Sequence, residues 1–134
     1  MINVLDACAM IALLRGEPGE DIVWAHLSDP AGTCYAHAIN LCEVFYDFFR
    51  DADELTAKSA IEDLKALGVI ERNDFDEGFW QEAGRLKAVH RKVSLADCCA
   101  MSLSLRVGGT LLTSDHKEFD PIVALGICSI AFIR

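Results

Sequence analysis

The sequence predicts an α/β fold, a three-layer α/β/α sandwich around a central parallel sheet. Three observations carry that expectation. Short β-rich runs alternate with helix-period segments along the whole chain, the pattern of βαβ units. Glycines punctuate the alternation, at Gly16 and Gly19, at Gly68, and at Gly108-Gly109. Aspartates stand just beyond two of the apolar runs, Asp6 after Ile2–Leu5 and Asp115 after Thr110–Thr113, where parallel sheets place their ligand sites.

The elements follow in order. Ile2–Leu5 reads as a buried strand and Ala7–Leu14 as the helix after it, ended by Gly16-Glu17-Pro18-Gly19. A helix over Asp21–Leu27 and a turn at Asp29-Pro30-Ala31-Gly32 lead to a short strand, Thr33–Ala36. The helix Ala38–Arg50 has a clear period: Ala38, Leu41, Cys42, Phe45, Phe48 and Phe49 form an apolar arc, and Asn40, Glu43, Asp47 and Arg50 a polar stripe. Then come a helix Glu54–Leu67, a strand Val69–Arg72, helices Asp74–Arg91 and Ser94–Arg106, and a strand Thr110–Thr113. A helix near Lys117–Leu125 and a last strand, Ile127–Ile133, close the chain. A length of 134 residues with 52% hydrophobic residues is expected to form one domain, residues 1–134, with a substantial core.

No apolar run approaches the ~20 residues a bilayer span needs, and Met1–Asp6 lacks the basic start of a secretory signal. The expectation is a cytoplasmic protein with no membrane partner. Six cysteines show no C-x-x-C spacing, so reduced, mostly buried thiols are expected rather than disulfides or zinc. The net charge of −9 is unfavourable for binding an anion, but it is unevenly spread. From Ala83 to Ser114 the only acid is Asp97, set among Arg85, Lys87, Arg91, Lys92 and Arg106. Such asymmetry suggests one face for an anionic ligand.

In a parallel sheet four acids, Asp6, Glu43, Asp97 and Asp115, would converge beyond the strand ends. Clustered carboxylates repel one another unless cations lie between them, and Mg²⁺ or Mn²⁺ favours such an all-oxygen site. Ions there could polarise a phosphoryl oxygen and activate water for phosphodiester hydrolysis, without a covalent protein intermediate. Each acid also has a plainer reading. Asp6 and Asp115 could simply cap helices, Asp97 could complete a capping box with Ser94, and Glu43 could be a solvated member of its stripe.

The residues Val4-Leu5-Asp6-Ala7, Asn40-Leu41-Cys42-Glu43, Ser94-Leu95-Ala96-Asp97 and Leu112-Thr113-Ser114-Asp115, with Phe119, resemble in order and spacing the motifs of the PIN-domain family. The resemblance is greatest to the VapC-like toxins of bacterial toxin–antitoxin pairs and covers nearly the whole chain. It implies a PIN-like sandwich, Mg²⁺- or Mn²⁺-dependent hydrolysis of RNA, a homodimer and an inhibiting antitoxin. Asp6, Glu43, Asp97 and Asp115 would be both catalytic and metal-binding residues, supported by Asn40 and Thr113. One departure is Cys8, where the family usually has Ser or Thr.

Arg85, Lys87, Arg91 and Lys92, together with Arg15, are candidates to grip the RNA backbone, though each is also a plausible helix-end cation. Asp120 is a candidate fifth acid, against the reading that Asp120-Pro121 is an ordinary turn. His116, Trp24, Trp80, Phe75 and Phe79 read better as surface, core or interface than as substrate contacts. A haloacid-dehalogenase-like phosphatase is excluded because Cys8 stands where its second Asp is needed. A response-regulator receiver needs neighbouring acids at its first strand and a late Lys, and neither arrangement is present. An RNA-processing PIN nuclease without an antitoxin, and an inactive PIN-fold binding module, remain as alternatives.

Overall fold

The computed structural model describes residues 1–134. The elements run β1 (Ile2–Leu5), α1 (Ala7–Arg15), α2 (Glu20–Leu27), β2 (Thr33–His37), α3 (Ala38–Asp51), α4 (Glu54–Ala66) and β3 (Val69–Arg72), then α5 (Glu77–Val89), α6 (Leu95–Val107), β4 (Thr110–Thr113), α7 (His116–Leu125) and β5 (Ile130–Phe132). All five strands are parallel, in the order β3-β2-β1-β4-β5. No helix is long and apolar enough to cross a membrane.

Alternation along the strands divides the core into two layers. Leu5, Cys34, Ala36, Val69 and Leu112 point to one side, against α1 to α4. Val4 and Leu111 point to the other, against Phe79, Leu86, Met101, Leu103 and Phe119 of α5, α6 and α7. Because successive strand residues face opposite sides, each strand supplies both cores, and this fixes its register. The strand order follows from the connections: the chain steps outward from β1 through β2 to β3, then returns to the far side of β1 with β4 and β5. That reversal opens a crevice beyond the carboxyl ends of β1 and β4.

Two elements are shorter than expected. Helix α5 begins at Glu77 rather than Asp74, because Asp74 and Asp76 turn their carboxylates onto Arg72 and Arg106. It ends at Val89, where Lys87 reaches past the helix end to the carbonyls of Arg91 and Val93, each at 2.8 Å. Strand β5 keeps only Ile130–Phe132. The Asp120-Pro121 pair makes no turn, since α7 continues through Pro121.

The apolar arc expected on α3 is only partly inward. Leu41 and Val44 are buried with Asn40, and Phe45 and Phe48 are half-buried, but Cys42 and Phe49 are exposed. Ile39, Cys42, Tyr46 and Phe49, three or four residues apart, form an outward stripe. Phe79 is a core residue, whereas Trp24, Trp80 and Phe75 are 45–60% exposed. All six cysteines are free, and Cys42 alone among them is exposed.

Two glycines make opposite predictions. Gly19 has φ +98, and a Cβ there would stand 2.6 Å from the carbonyl oxygen of Ile133, so the C-terminal strand leans directly on this turn. Gly84, inside α5, has open space around it. Gly19→Ala is expected to lose at least ~1–2 kcal/mol in urea unfolding, and Gly84→Ala to gain up to ~1 kcal/mol.

Candidate functional site

Asp6 leaves the end of β1 as the N-cap of α1 and is 1% exposed. Its Oδ1 accepts the Ala9 N–H at 2.9 Å, while Oδ2 is buried without a hydrogen-bond partner. Asp115 stands beyond the adjacent β4 and caps α7 in the same way, its Oδ1 accepting the Glu118 N–H at 3.0 Å. The Thr113 hydroxyl, fully buried, accepts the Asp115 N–H at 3.0 Å and fixes the turn that aims this carboxylate. A cap uses one oxygen of a carboxylate, so capping leaves the other oxygen of each aspartate available for a site role.

Asp97 shows how tertiary structure releases an acid from a capping box. Ser94 caps α6 through the Asp97 N–H at 3.2 Å. In a complete box the third-position carboxylate would return to the Ser94 N–H. Here Glu118, from α7, takes that N–H at 3.3 Å. The Asp97 carboxylate is left free and meets Asp115 and Glu118, with one oxygen of each residue lying within 4.8 Å of the others.

Glu43 lies on α3, across the crevice. Asn40, one turn earlier and fully buried, donates its amide to Glu43 Oε1 at 3.5 Å and to the Ala96 carbonyl at 3.4 Å. It thereby ties α3 to the first turn of α6.

The electrostatics agree with the geometry. Burial pushes the Asp6 carboxyl up to about 7, helped by the charges of Glu43 and Asp115 and opposed by Thr113 and the Ala9 N–H. Burial drives Asp97 well above the carboxylate range, and Glu118 beside it, Asp6 and Glu43 push it the same way. Glu43 is also raised, first by burial and then by the charge of Glu118. No lysine or arginine is ion-paired with any of the five. An all-oxygen donor set with unpartnered oxygens at Asp6 Oδ2 and Glu118 Oε2 fits a hard divalent cation. Cys8 borders the same cluster, and burial together with Asp6 and Asp97 pushes its thiol up to about 12.

The structure thus brings Asp97 and Asp115 into one group of oxygens, while Asp6 and Glu43 lie outside that group but near enough for their charges to raise Asp97. Asn40 bonds Glu43, and Thr113 bonds the Asp115 N–H. The structure adds Glu118, which was not among the expected acids. Its signal was the Asp115-x-x-Glu118 spacing, which places the second acid over the first at a helix start. Asp120 is turned instead to His116 Nδ1 at 2.9 Å, and the His116 ring stacks on Phe132. Among the basic candidates, Arg15 lies at the opposite end of α1 from Asp6, bound to Asp47 and Asp51. Arg85 is held by Glu82 at 2.9 Å. Arg91 and Lys92 stand with Lys117 around a cavity that Glu118 also lines.

Comparison with known proteins gives a consistent picture. No curated protein matches the chain significantly by sequence. Among solved structures, a chain of VapBC2 from Rickettsia felis, bound to a DNA fragment from its promoter, superposes with a TM-score of 0.73 at 18% identity, covering 98% of both chains. VapBC-1 from nontypeable Haemophilus influenzae gives 0.73 at 22%, covering 99% of this chain and 98% of that one. VapC20 from Mycobacterium tuberculosis, a toxin that cleaves the sarcin-ricin loop, gives 0.70 at 17%, covering 92% of this chain and 95% of that one. At such identities the likeness concerns the fold. The family model of the PIN domain, in contrast, matches residues 4–123 by sequence, from β1 into α7 and across every acid of the crevice, and on that match the chain belongs to the PIN-domain family.

Proposed function

We propose that this protein is a Mg²⁺- or Mn²⁺-dependent ribonuclease and the toxin of a toxin–antitoxin pair. The observation that carries the reading is the arrangement of carboxylates. Asp6 and Asp115 each spend one oxygen on a helix N-terminus, Asp97 is released from its capping box, and Asp6 Oδ2 and Glu118 Oε2 are buried without partners. Membership in a family of nucleases supports hydrolysis of a phosphodiester. The RNA-cleaving VapC20, similar in fold, supports RNA as the substrate.

Asp6, Asp97 and Asp115 would hold the cation, with Glu118 and Glu43 completing the site directly or through water. The cation supplies Lewis acidity, polarising a phosphoryl oxygen and making water a stronger acid. The protein supplies position. Thr113 and the two caps fix the carboxylates of Asp115 and Asp6, and Asn40 holds Glu43 against α6. Attack by water rather than by the Cys8 side chain is supported by burial and the charges of Asp6 and Asp97, which push that thiol up.

The antitoxin is supported by the fold's likeness to chains of VapBC complexes. A homodimer would have the outward stripe Ile39, Cys42, Tyr46 and Phe49 of α3 as apolar surface to cover. A small DNA-binding-type reading frame directly upstream, whose co-expression relieves growth arrest, would support the pairing. Its absence, with no slowing of growth on overexpression, would overturn the toxin assignment.

RNA cleavage should require Mn²⁺ or Mg²⁺. Asp6→Asn and Asp97→Asn should each reduce it by roughly a hundredfold or more, and Glu118→Gln by roughly tenfold or more. Parent-like rates in either aspartate variant would sink the mechanism.

Thermal unfolding of the metal-free protein gives a test independent of activity. An unfolded aspartate ionises near ~3.9, while folded Asp6 titrates at about 7. Between those values the folded state binds more protons, so stability should fall as pH rises. Asp97 extends the fall in the same direction. Raising the pH from 5 to 8 should lower the metal-free Tm by about 5 °C or more. Mn²⁺ should recover that loss at pH 8, and metal-free Asp97→Asn should be more stable than the parent there. A flat profile without metal, or no Mn²⁺ stabilisation, would count against a metal centre.

A further inference from the structure

Eight of the twelve lysines and arginines are ion-paired with carboxylates. The four that are not, Lys87, Arg91, Lys92 and Lys117, lie together at the junction of α5, the loop before α6, and α7. Lys87 spends its ammonium on the carbonyls of Arg91 and Val93 and so shapes that loop. Arg91, Lys92 and Lys117 are exposed, uncommitted, and line one cavity of ≈ 270 Å³. In a chain of net charge −9, the uncommitted cations are therefore concentrated at a single place.

That place adjoins the carboxylates. Glu118 forms part of the cavity wall and has an oxygen within 4.8 Å of oxygens of Asp97 and Asp115. The remaining wall includes apolar Val89, Pro121 and Ile122. Pro121 has no N–H to bond within α7, which leaves its ring as an apolar surface beside Lys117. The volume is just below the ~300–1,000 Å³ of pockets for drug-sized ligands, room for one nucleotide rather than a longer stretch. Cations over a largely apolar wall, which the His90 ring also lines, suit a phosphate with the sugar and an unstacked base beneath it.

We propose that this cavity is a subsite for one unpaired nucleotide of the RNA, adjacent to the phosphodiester presented to the carboxylate crevice. Arg91, Lys92 and Lys117 hold its phosphate, and Val89 and Pro121 pack against its sugar and base. The subsite rests on the ribonuclease reading and adds to it the requirement for a single-stranded segment beside the cleaved bond.

The test is fluorescence anisotropy of a single-stranded RNA oligonucleotide, titrated with the full chain at several salt concentrations in Ca²⁺, which replaces the Mg²⁺ or Mn²⁺ of the cleavage assay. Arg91→Ala and Lys117→Ala should each weaken binding about threefold or more and flatten the slope of log K against log salt by roughly 0.7. Val89→Trp, which fills the cavity from its exposed rim, should weaken binding with the salt slope unchanged. Arg85→Ala, whose guanidinium is already held by Glu82, should bind as the parent does. Parent-like binding and slope in both Arg91→Ala and Lys117→Ala would overturn the subsite. If the parent still cleaves RNA with Mn²⁺ in that case, the ribonuclease reading stands without it. A parent that neither binds nor cleaves RNA would overturn both.

Discussion

Asp6 sits at the end of the central strand, almost wholly buried, with one oxygen on the α1 N-terminus and the other without a partner. A buried carboxylate in that state is costly unless it is protonated or a cation is provided. The other acids are arranged around it: Asp115 from the neighbouring strand, Asp97 and Glu118 from the two helices beyond it, and Glu43 from across the crevice. The strand order makes this possible, because reversal at β1 leaves no helix crossing above the gap between β1 and β4. Carboxylate cluster and topology are thus one constraint seen at two scales.

The same crevice explains how charge is distributed in an acidic protein. Most basic side chains are occupied by surface carboxylates, such as Arg106 by Asp74 and Asp76, or Arg15 by Asp47 and Asp51. Exposed pairs of this kind contribute little to stability. Their effect is to remove positive charge from the rest of the surface, so an anionic chain meets uncommitted cations at one place, beside the acids. Net charge is a poor guide to where this surface could receive an anion, and local commitment of charge is a better one.

The fold was largely legible because strands and helices here follow their periodicities. Ile2–Leu5 and Thr110–Thr113 are strands with the expected bounds, and glycines at positions 16, 108 and 126 end helices in the left-handed conformation that only glycine adopts freely. Misreadings arose where side chains from distant segments compete for a backbone. Helix α5 starts late because Arg72 and Arg106 hold Asp74 and Asp76. On α3 the buried line is set by the neighbours α1, α4 and α6, so part of an apolar arc faces outward.

By itself the sequence determined the alternation of elements, the parallel sheet and the positions of Asp6 and Asp115 at strand ends, since these depend on local periodicity and chain breaks. It left Asp6, Asp97 and Asp115 suspended between cap and site, and Glu43 between solvated stripe and site. Only the tertiary structure shows which of their oxygens are spent on caps and which are left without a partner, because the contacts that set this are long-range. Glu118 takes the Ser94 N–H across 24 positions, and Asn40 reaches Ala96 across 56. Once Glu118 had supplied the missing half of the capping box, the Asp97 carboxylate had no local partner and turned into the crevice. No spacing along the chain encodes that exchange.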